Sequence, residues 1–254
     1  MWNPYDFTGK RIIVTGATSG IGKATAVKLA EQGAEVVLIG RNEPSLREVL
    51  NELQGKGHSY YVCDLSQTQA EKGIEDIYNG IVSDGHKIDG LAYCAGTVKI
   101  VPAGKLSKKT MDESMTTNLY SFVEMAGTLS KKKYHDQASV VGVSSISALY
   151  PQKCQGGYVA SKAAMNAVVA SMAIELAEKG IRINTIMPAS TNTRMLSSAL
   201  ENKTKEEIDS AFSKQVLGLA EPEDIADIIL FLLSDASRMI TGRAIFADAG
   251  FVNL

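Results

Sequence analysis

The stretch RIIVTGATSGIG, Arg11–Gly22, decides the reading of the chain. Arg11–Thr15 is a short β-branched run of the kind that forms a buried strand. After it, apolar residues fall at Ile21, Ala24, Val27, Leu29 and Ala30, which is helical spacing over Gly20–Gln32. Gly33 follows as a stop. The glycines between strand and helix are spaced G-x-x-x-G-x-G, not the common G-x-G-x-x-G. The physics is the same. Gly16 turns the chain off the strand, Gly20 clears a side chain from the approach of a pyrophosphate, and Gly22 lets the helix pack closely. The helix N-terminus offers free N–H groups and positive potential to a phosphate. A glycine turn serving only chain reversal is the alternative; placement in the first strand–helix unit favours binding.

Outward from this unit the alternation continues. Strands are expected at Glu35–Gly40, Ser59–Cys63, Ile88–Cys94, Ser139–Ser145, Ile181–Met187 and Arg243–Ala247. Helices are expected at Pro44–Leu53, Gln67–Ser83, Tyr158–Lys179 and Pro222–Leu233, with Leu106–Lys133 mostly helical. Gly96–Lys109 and Pro188–Lys203 read as irregular. Strands alternating with helices make a parallel sheet covered on both faces. Right-handed crossovers reduce the choice to an α/β, doubly wound Rossmann fold of about seven strands. No linker divides the chain, so residues 1–254 form one expected domain, with 189–215 as its substrate-loop region.

The bulk numbers exclude more than they assign. A net charge of −2 gives no reason to expect nucleic acid or an anionic membrane as partner. No run of 18 or more apolar residues is present, and Met-Trp-Asn-Pro-Tyr-Asp does not read as a secretory signal. Three scattered cysteines and three scattered histidines form no metal or redox motif, so no metal is expected, and a reducing cytoplasm is the expected location.

The second strand ends at Gly40-Arg41-Asn42. A carboxylate there would hold the 2′-OH of NAD; Arg41 instead suits a 2′-phosphate, so NADP(H) is expected over NAD(H), with Ser19 assisting. Asp64, at the end of the third strand, could accept from an adenine amino group or be only a turn residue.

Tyr158-Val-Ala-Ser-Lys162 opens the long helix, and a spacing of four puts both side chains on one face. A cationic Lys162 favours the phenolate, so it is expected to lower the Tyr158 pKa from about 10. Ser145 lies thirteen residues earlier at a strand end. Strand ends and following helix starts face the same crevice, where a serine can polarise a carbonyl. Ser144, beside it, is the rival for that part.

At this point the chain resembles the short-chain dehydrogenase/reductase family over nearly its whole length. The carriers are TGATSGIG, Cys94-Ala95-Gly96, Asn118, Ser145, Tyr158-x-x-x-Lys162, Ile186-Met187-Pro188, Pro222-Glu-Asp-Ile-Ala226 and Asp248. The resemblance implies a catalytic tetrad of Asn118, Ser145, Tyr158 and Lys162. In it Tyr158 transfers the proton, Ser145 orients the carbonyl, Lys162 binds the nicotinamide ribose, and Asn118 holds a water. It adds Thr18, Ile21, Leu65, Ala95, Gly96, Pro188, Thr191 and Thr193 to the cofactor contacts. Two departures stand out: Tyr93-Cys94 replaces the usual Asn-Asn, and Ala189 the usual glycine.

Among relatives the sequence is most similar to 3-oxoacyl-(acyl-carrier-protein) reductases, so a 3-oxoacyl thioester is the first expected substrate. A sugar, polyol, steroid or small ketone is the alternative, and a non-catalytic cofactor-binding regulator the alternative of another class. Substrate choice is expected from Val98–Leu106, Leu149–Gln155 and the loop from Ala189 to about Phe212, including Tyr150, Met195, Leu196 and Leu200. Lys131, Lys132, Lys133 and Lys179 stand where basic residues could meet an acidic carrier protein, or they form a solvated helix end. The family implies a homotetramer, or a homodimer, packed through Leu106–Lys133 and Tyr158–Lys179, where Ala160, Ala163, Ala164, Ala167 and Ala170 would allow close approach.

Overall fold

The computed structural model describes residues 3–67, 70–201 and 204–252. Residues 68 and 69, at the start of the third expected helix, and 202 and 203, in the expected substrate loop, lie outside the described residues, as do both chain ends.

Seven strands form one parallel sheet in the order β3-β2-β1-β4-β5-β6-β7. They are β1 (Arg11–Thr15), β2 (Glu35–Gly40), β3 (Ser59–Val62), β4 (Gly90–Tyr93), β5 (Ala138–Val143), β6 (Ile181–Pro188) and β7 (Ala244–Ala247). The helices are α1 (Gly20–Glu31), α2 (Glu43–Glu52), α3 (Ala70–Ile81), α4 (Lys108–Met115), α5 (Ser121–Leu129), α6 (Gly156–Ala177), α7 (Arg194–Leu200), α8 (Lys205–Phe212) and α9 (Pro222–Leu233). This is the doubly wound fold expected from the sequence. Element boundaries move by a few residues at most.

The strands alternate their buried side chains between two cores, as a period of two demands. Ile13, Val37, Leu91, Val140 and Ile183 face α3, α5 and α6 through Tyr78, Phe122 and Val169. Ile12, Val36, Ala92, Val141 and Ile186 face α1, α2 and α9 through Leu29, Leu46 and Ile229. Each such fully buried Leu or Ile contributes about 2 kcal/mol.

Three features depart from expectation. The segment around 194–212 carries two helices where irregular chain was expected; Thr193 caps the first, its Oγ1 accepting from the Leu196 N–H at 3.4 Å. The long helical stretch after Leu106 is broken by a π-turn over Thr116–Tyr120, where the Ser121 N–H bonds to the Thr116 carbonyl five residues back. And α6 is long and apolar enough, by length and composition, to cross a membrane, which corrects the expectation that no segment is. It packs on β6, with Met165, Val169, Ala173 and Leu176 buried, and we read it as a core helix.

At the edge where the strands begin, Arg11 is a buried cation. Its guanidinium bonds both oxygens of Glu35 (2.8 and 3.1 Å) and both of Asp84 (2.9 and 2.6 Å). It also reaches the carbonyls of Ile81 (2.6 Å) and His86 (2.7 Å). One side chain therefore ties β1 and β2 to the α3–β4 connection.

His135, just before β5, is 1% exposed. Burial pushes its pKa down, with the Ser130 backbone opposing and Lys132 and Lys87 assisting. A depressed native pKa means that the unfolded chain takes up the proton first. Stability is therefore full above the ordinary histidine value of about 6.5 and falls as pH drops through it toward the native value. Urea midpoints from pH 7.5 to 5.5 should decline in the parent and decline less in His135→Leu; parallel declines would assign the loss elsewhere.

Candidate active site

Parallel strands leave their carboxyl ends on one rim, and the first turns of the following helices rise from it. Thr15 pairs with Ile39 and Tyr93, Val143 with Ile186, and Pro188 with Ala247, so Gly16, Cys94, Ser144 and Ala189 leave the sheet side by side. Above them lies a cavity of about 1160 Å³. Its walls include every expected site residue except Asn118: Gly16, Thr18, Ser19, Gly20, Ile21, Gly22, Arg41, Asp64, Leu65, Ala95, Gly96, Ser145, Tyr158, Lys162, Pro188, Thr191 and Thr193.

The glycine loop is shaped by close contact. Gly16 has φ +63°, and a Cβ there would stand 2.9 Å from the Ala95 nitrogen. A Cβ on Gly22 would lie 2.3 Å from the Gly16 carbonyl, so its role is to let the first helical turn close on the loop. Gly20, with φ +52°, faces the Thr193 side chain across the cavity floor. The Ala95 N–H is fixed by the Thr15 hydroxyl at 3.1 Å. Ser19 is the N-cap of α1 but makes no side-chain bond to it, and no acidic residue sits in the first turn. Open backbone N–H groups, room for close approach and absence of negative charge fit a pyrophosphate.

Arg41 lines the cavity beyond β2. Asp64 lines it too, but both its oxygens are engaged in its own turn. Oδ1 accepts from the Ser66 N–H (3.0 Å) and hydroxyl (2.7 Å), and Oδ2 from the Gln67 amide (3.3 Å). These bonds, Ser66 first, hold its carboxyl below the usual range, with Arg41 contributing.

At the other end of the cavity Tyr158 and Lys162 come from the first turns of α6. The Lys162 ammonium lies 5.8 Å from the centroid of the Tyr158 ring and donates to the Val143 carbonyl at 2.6 Å. Burial lowers its pKa to about 8. Burial also raises the Tyr158 phenol above its ordinary value, opposed by a hydrogen bond with Ser145. This corrects the expectation of a lowered Tyr158 pKa: among the chain's own groups, desolvation of the phenolate outweighs its hydrogen bond with Ser145. The Ser144 hydroxyl is engaged, donating to the Lys162 carbonyl at 3.1 Å. The Ser145 hydroxyl faces the cavity and accepts from the Ser147 N–H at 3.1 Å.

Asn118 is fully buried behind the wall, carried inward on the π-turn. Its Oδ1 accepts from the Thr97 N–H (2.8 Å), and its amide donates to the Thr97 carbonyl and the Ser161 hydroxyl (both 2.9 Å). Ser161 in turn donates to the Tyr158 carbonyl at 2.7 Å. Asn118 therefore ties the chain after β4 to the turn that presents the tyrosine. The neighbouring Cys94 thiol, pushed up to about 12 by burial, stays neutral.

Of the expected substrate stretches, Val98, Lys99, Leu149, Tyr150, Gln155, Met195 and Leu196 line the cavity, while Leu200 does not. Glu113, Lys214 and Phe251 also line it and were not anticipated; no local pattern marks them. The four lysines, read as carrier contacts or as a solvated helix end, lie away from this rim. α5 and α6 run against the strands, so Lys131, Lys132, Lys133 and Lys179 follow their far ends, at the edge where β5 begins. There Lys131 and Lys133 pair with Glu75, and Lys179 donates to Ser130.

The family described as enoyl-(acyl carrier protein) reductase matches residues 16–252. The chain is 31% identical to an L-xylulose reductase of Caenorhabditis elegans, covering 98% of each. It is 32% identical to a 3-oxoacyl-(acyl-carrier-protein) reductase of Thermotoga maritima, covering 96% of this chain and 98% of the relative. It is 33% identical to a 3beta-hydroxysteroid dehydrogenase of Mediterraneibacter gnavus, covering 96% and 95%. A solved short-chain type dehydrogenase/reductase from Mycobacterium ulcerans superposes with a TM-score of 0.87 at 27% identity, over 97% of this chain and 90% of that one. With its parallel sheet, glycine cradle and Ser–Tyr–Lys cluster, the chain belongs to the short-chain dehydrogenase/reductase family of nicotinamide-dependent oxidoreductases.

Proposed function

We propose that the chain interconverts a ketone and a secondary alcohol with NADP(H), a 3-oxoacyl thioester being the first candidate substrate. The observation that carries this reading is the gathering of the Ser145 hydroxyl, the Tyr158 phenol and the Lys162 ammonium at one wall of the cavity. The bound nicotinamide would supply or accept the hydride. Gly16, Ser19, Gly20 and the open turn of α1 would hold its pyrophosphate, Lys162 its ribose, and Thr193 its carboxamide. Ser145 orients the carbonyl oxygen. Tyr158, neutral at physiological pH because burial raises its pKa, donates the proton to that oxygen as reduction proceeds. The test is NADPH oxidation against acetoacetyl thioesters beside sugar, polyol and steroid ketones and an enoyl thioester. NADPH binding without oxidation of any of these would favour a regulator instead.

Arg41 carries the cofactor preference. Arg41→Asp is expected to raise the ratio of kcat/KM with NADH to that with NADPH about 100-fold, by loss of a charged hydrogen bond and gain of repulsion. Steady-state rates with both cofactors decide it; an unchanged ratio would mean that another group reads the 2′-phosphate.

A cytoplasmic location and association into a homotetramer or homodimer belong to the same reading. Supporting association, α6 turns exposed small residues outward at Ala167 and Ala170, with Ile174 75% exposed beside them. Sedimentation tests it directly.

A further inference from the structure

The charges lining the cavity are unevenly placed. Its acidic residues are Asp64, at the β3 end, and Glu113, which is paired with Lys99. Arg194 and Lys214 also line it, both exposed, and neither has a carboxylate partner among the described residues. Lys214 therefore brings to the wall a positive charge without a resident counter-ion, in a chain whose net charge is −2.

Lys214 is held in place there. The next residue, Gln215, is 4% exposed and clamps the chain to the loop after β6. Its carbonyl oxygen accepts from the Ser190 N–H and its amide donates to the Ser190 carbonyl, both at 3.0 Å. The Leu217 N–H bonds to the Ala249 carbonyl at 3.2 Å, joining this segment to the one that follows β7. In that second segment the Asp248 carboxylate accepts from the N–H groups of Gly250 (3.2 Å) and Val252 (2.9 Å), and the turn so formed presents Phe251. The Lys214 ammonium lies 5.4 Å from the centroid of the Phe251 ring, and Tyr150 meets the same ring edge-on at 6.1 Å. The result is a cation on an aromatic shelf, facing the cavity that holds Tyr158 and Ser145.

We infer that the carbonyl substrate carries an anionic group, a carboxylate or a phosphate, which Lys214 receives, while Tyr150 and Phe251 cover its carbon chain. The inference rests on the carbonyl-reduction reading and narrows its substrate class. A cation with no resident counter-ion is free to pair with an arriving anion, and because Lys214 is exposed, water tempers the gain. The aromatic shelf limits the positions of the ammonium, so little order is lost when the anion arrives.

The test uses pairs that differ only in charge. 4-Oxopentanoate and 7-oxooctanoate are each compared with the methyl ester. 3-Oxobutanoyl pantetheine is compared with its 4′-phosphate. With NADPH, the anionic member of at least one pair should have a kcat/KM roughly ten-fold or more above its neutral partner. Preference in the acid pairs assigns a carboxylate, and preference in the pantetheine pair a phosphate. The ratio should fall toward one in Lys214→Gln and below one in Lys214→Glu. Binding is read separately, without cofactor, as a rise in Tm with 7-hydroxyoctanoate that Lys214→Glu abolishes. Turnover of esters and acids at equal efficiency, or an anion preference that survives Lys214→Glu, would overturn the inference and leave carbonyl reduction standing. Turnover of no member of any pair, beside an inactive ketone panel, would remove the reduction reading itself.

Discussion

Replacing Tyr158 by Phe is expected to lower kcat by about 10²- to 10⁴-fold, the range of a lost general acid. The change removes one oxygen from a packed ring. The ring itself stays beside the Lys162 ammonium, which is anchored independently by the Val143 carbonyl at 2.6 Å. Affinity for NADPH, followed by its fluorescence, should therefore be little changed. The raised phenol pKa adds a direction. Reduction needs the protonated phenol and should hold its rate across neutral pH. Alcohol oxidation needs the phenolate and should climb as pH rises toward the phenol's pKa. Both arms should vanish in the variant. Retention of turnover by Tyr158→Phe would take the proton-transfer role from this residue.

The second large effect concerns stability. Arg11→Met should destabilise the fold by about 3 kcal/mol, the lower end of the cost of breaking a buried ion pair, because Asp84 is half-exposed. For a chain of this size that is a fall in Tm of roughly 6–12 °C. Methionine fills much of the volume, so what is lost is the partner of Glu35 and of two backbone carbonyls. The Arg11 guanidinium holds the Asp84 carboxyl well below the usual range. A lowered native pKa gives stability that is present above the ordinary aspartate value of about 4 and is lost as pH falls through the native one. The gap between parent and variant should then narrow in acid. Urea unfolding from pH 7 to 3 measures it. Equal midpoints at pH 7 would show that the network contributes nothing net. Arg11 lies at the edge of the sheet opposite the cavity, so kcat should not follow.

The strands were legible because each is a short β-branched run between turn residues, and a parallel sheet buries such runs on both faces. Tyr158, Lys162 and Ser145 were legible for a related reason: a strand end and the following helix start must share the rim. What could not be read is tertiary. Asn118 meets Thr97 across 21 positions, and no local pattern announces it. Lys214 and Phe251 come together only because Gln215 and Asp248 fix their separate segments. The basic run after α5 could be read as a partner's contact or as a solvated helix end because composition carries no direction; the helix delivers it to the edge away from the cavity. The first turn of α7 hides behind a threonine cap and a stretch of serines that resembles loop. The Tyr158 pKa was misjudged because neighbouring charge can be read from spacing, and burial cannot.

The π-turn at Thr116–Tyr120 has a consequence for how this gene can change. It holds one residue more than an α-helix would use over the same rise. Deleting a single codon there would restore regular winding and leave the downstream turns close to their present phase. Phe122 and Met125 would keep their places in the core, while Asn118 would lose the widened turn that carries it to Thr97. A change of length at this point is therefore felt at the tetrad asparagine and not in the packing that follows it.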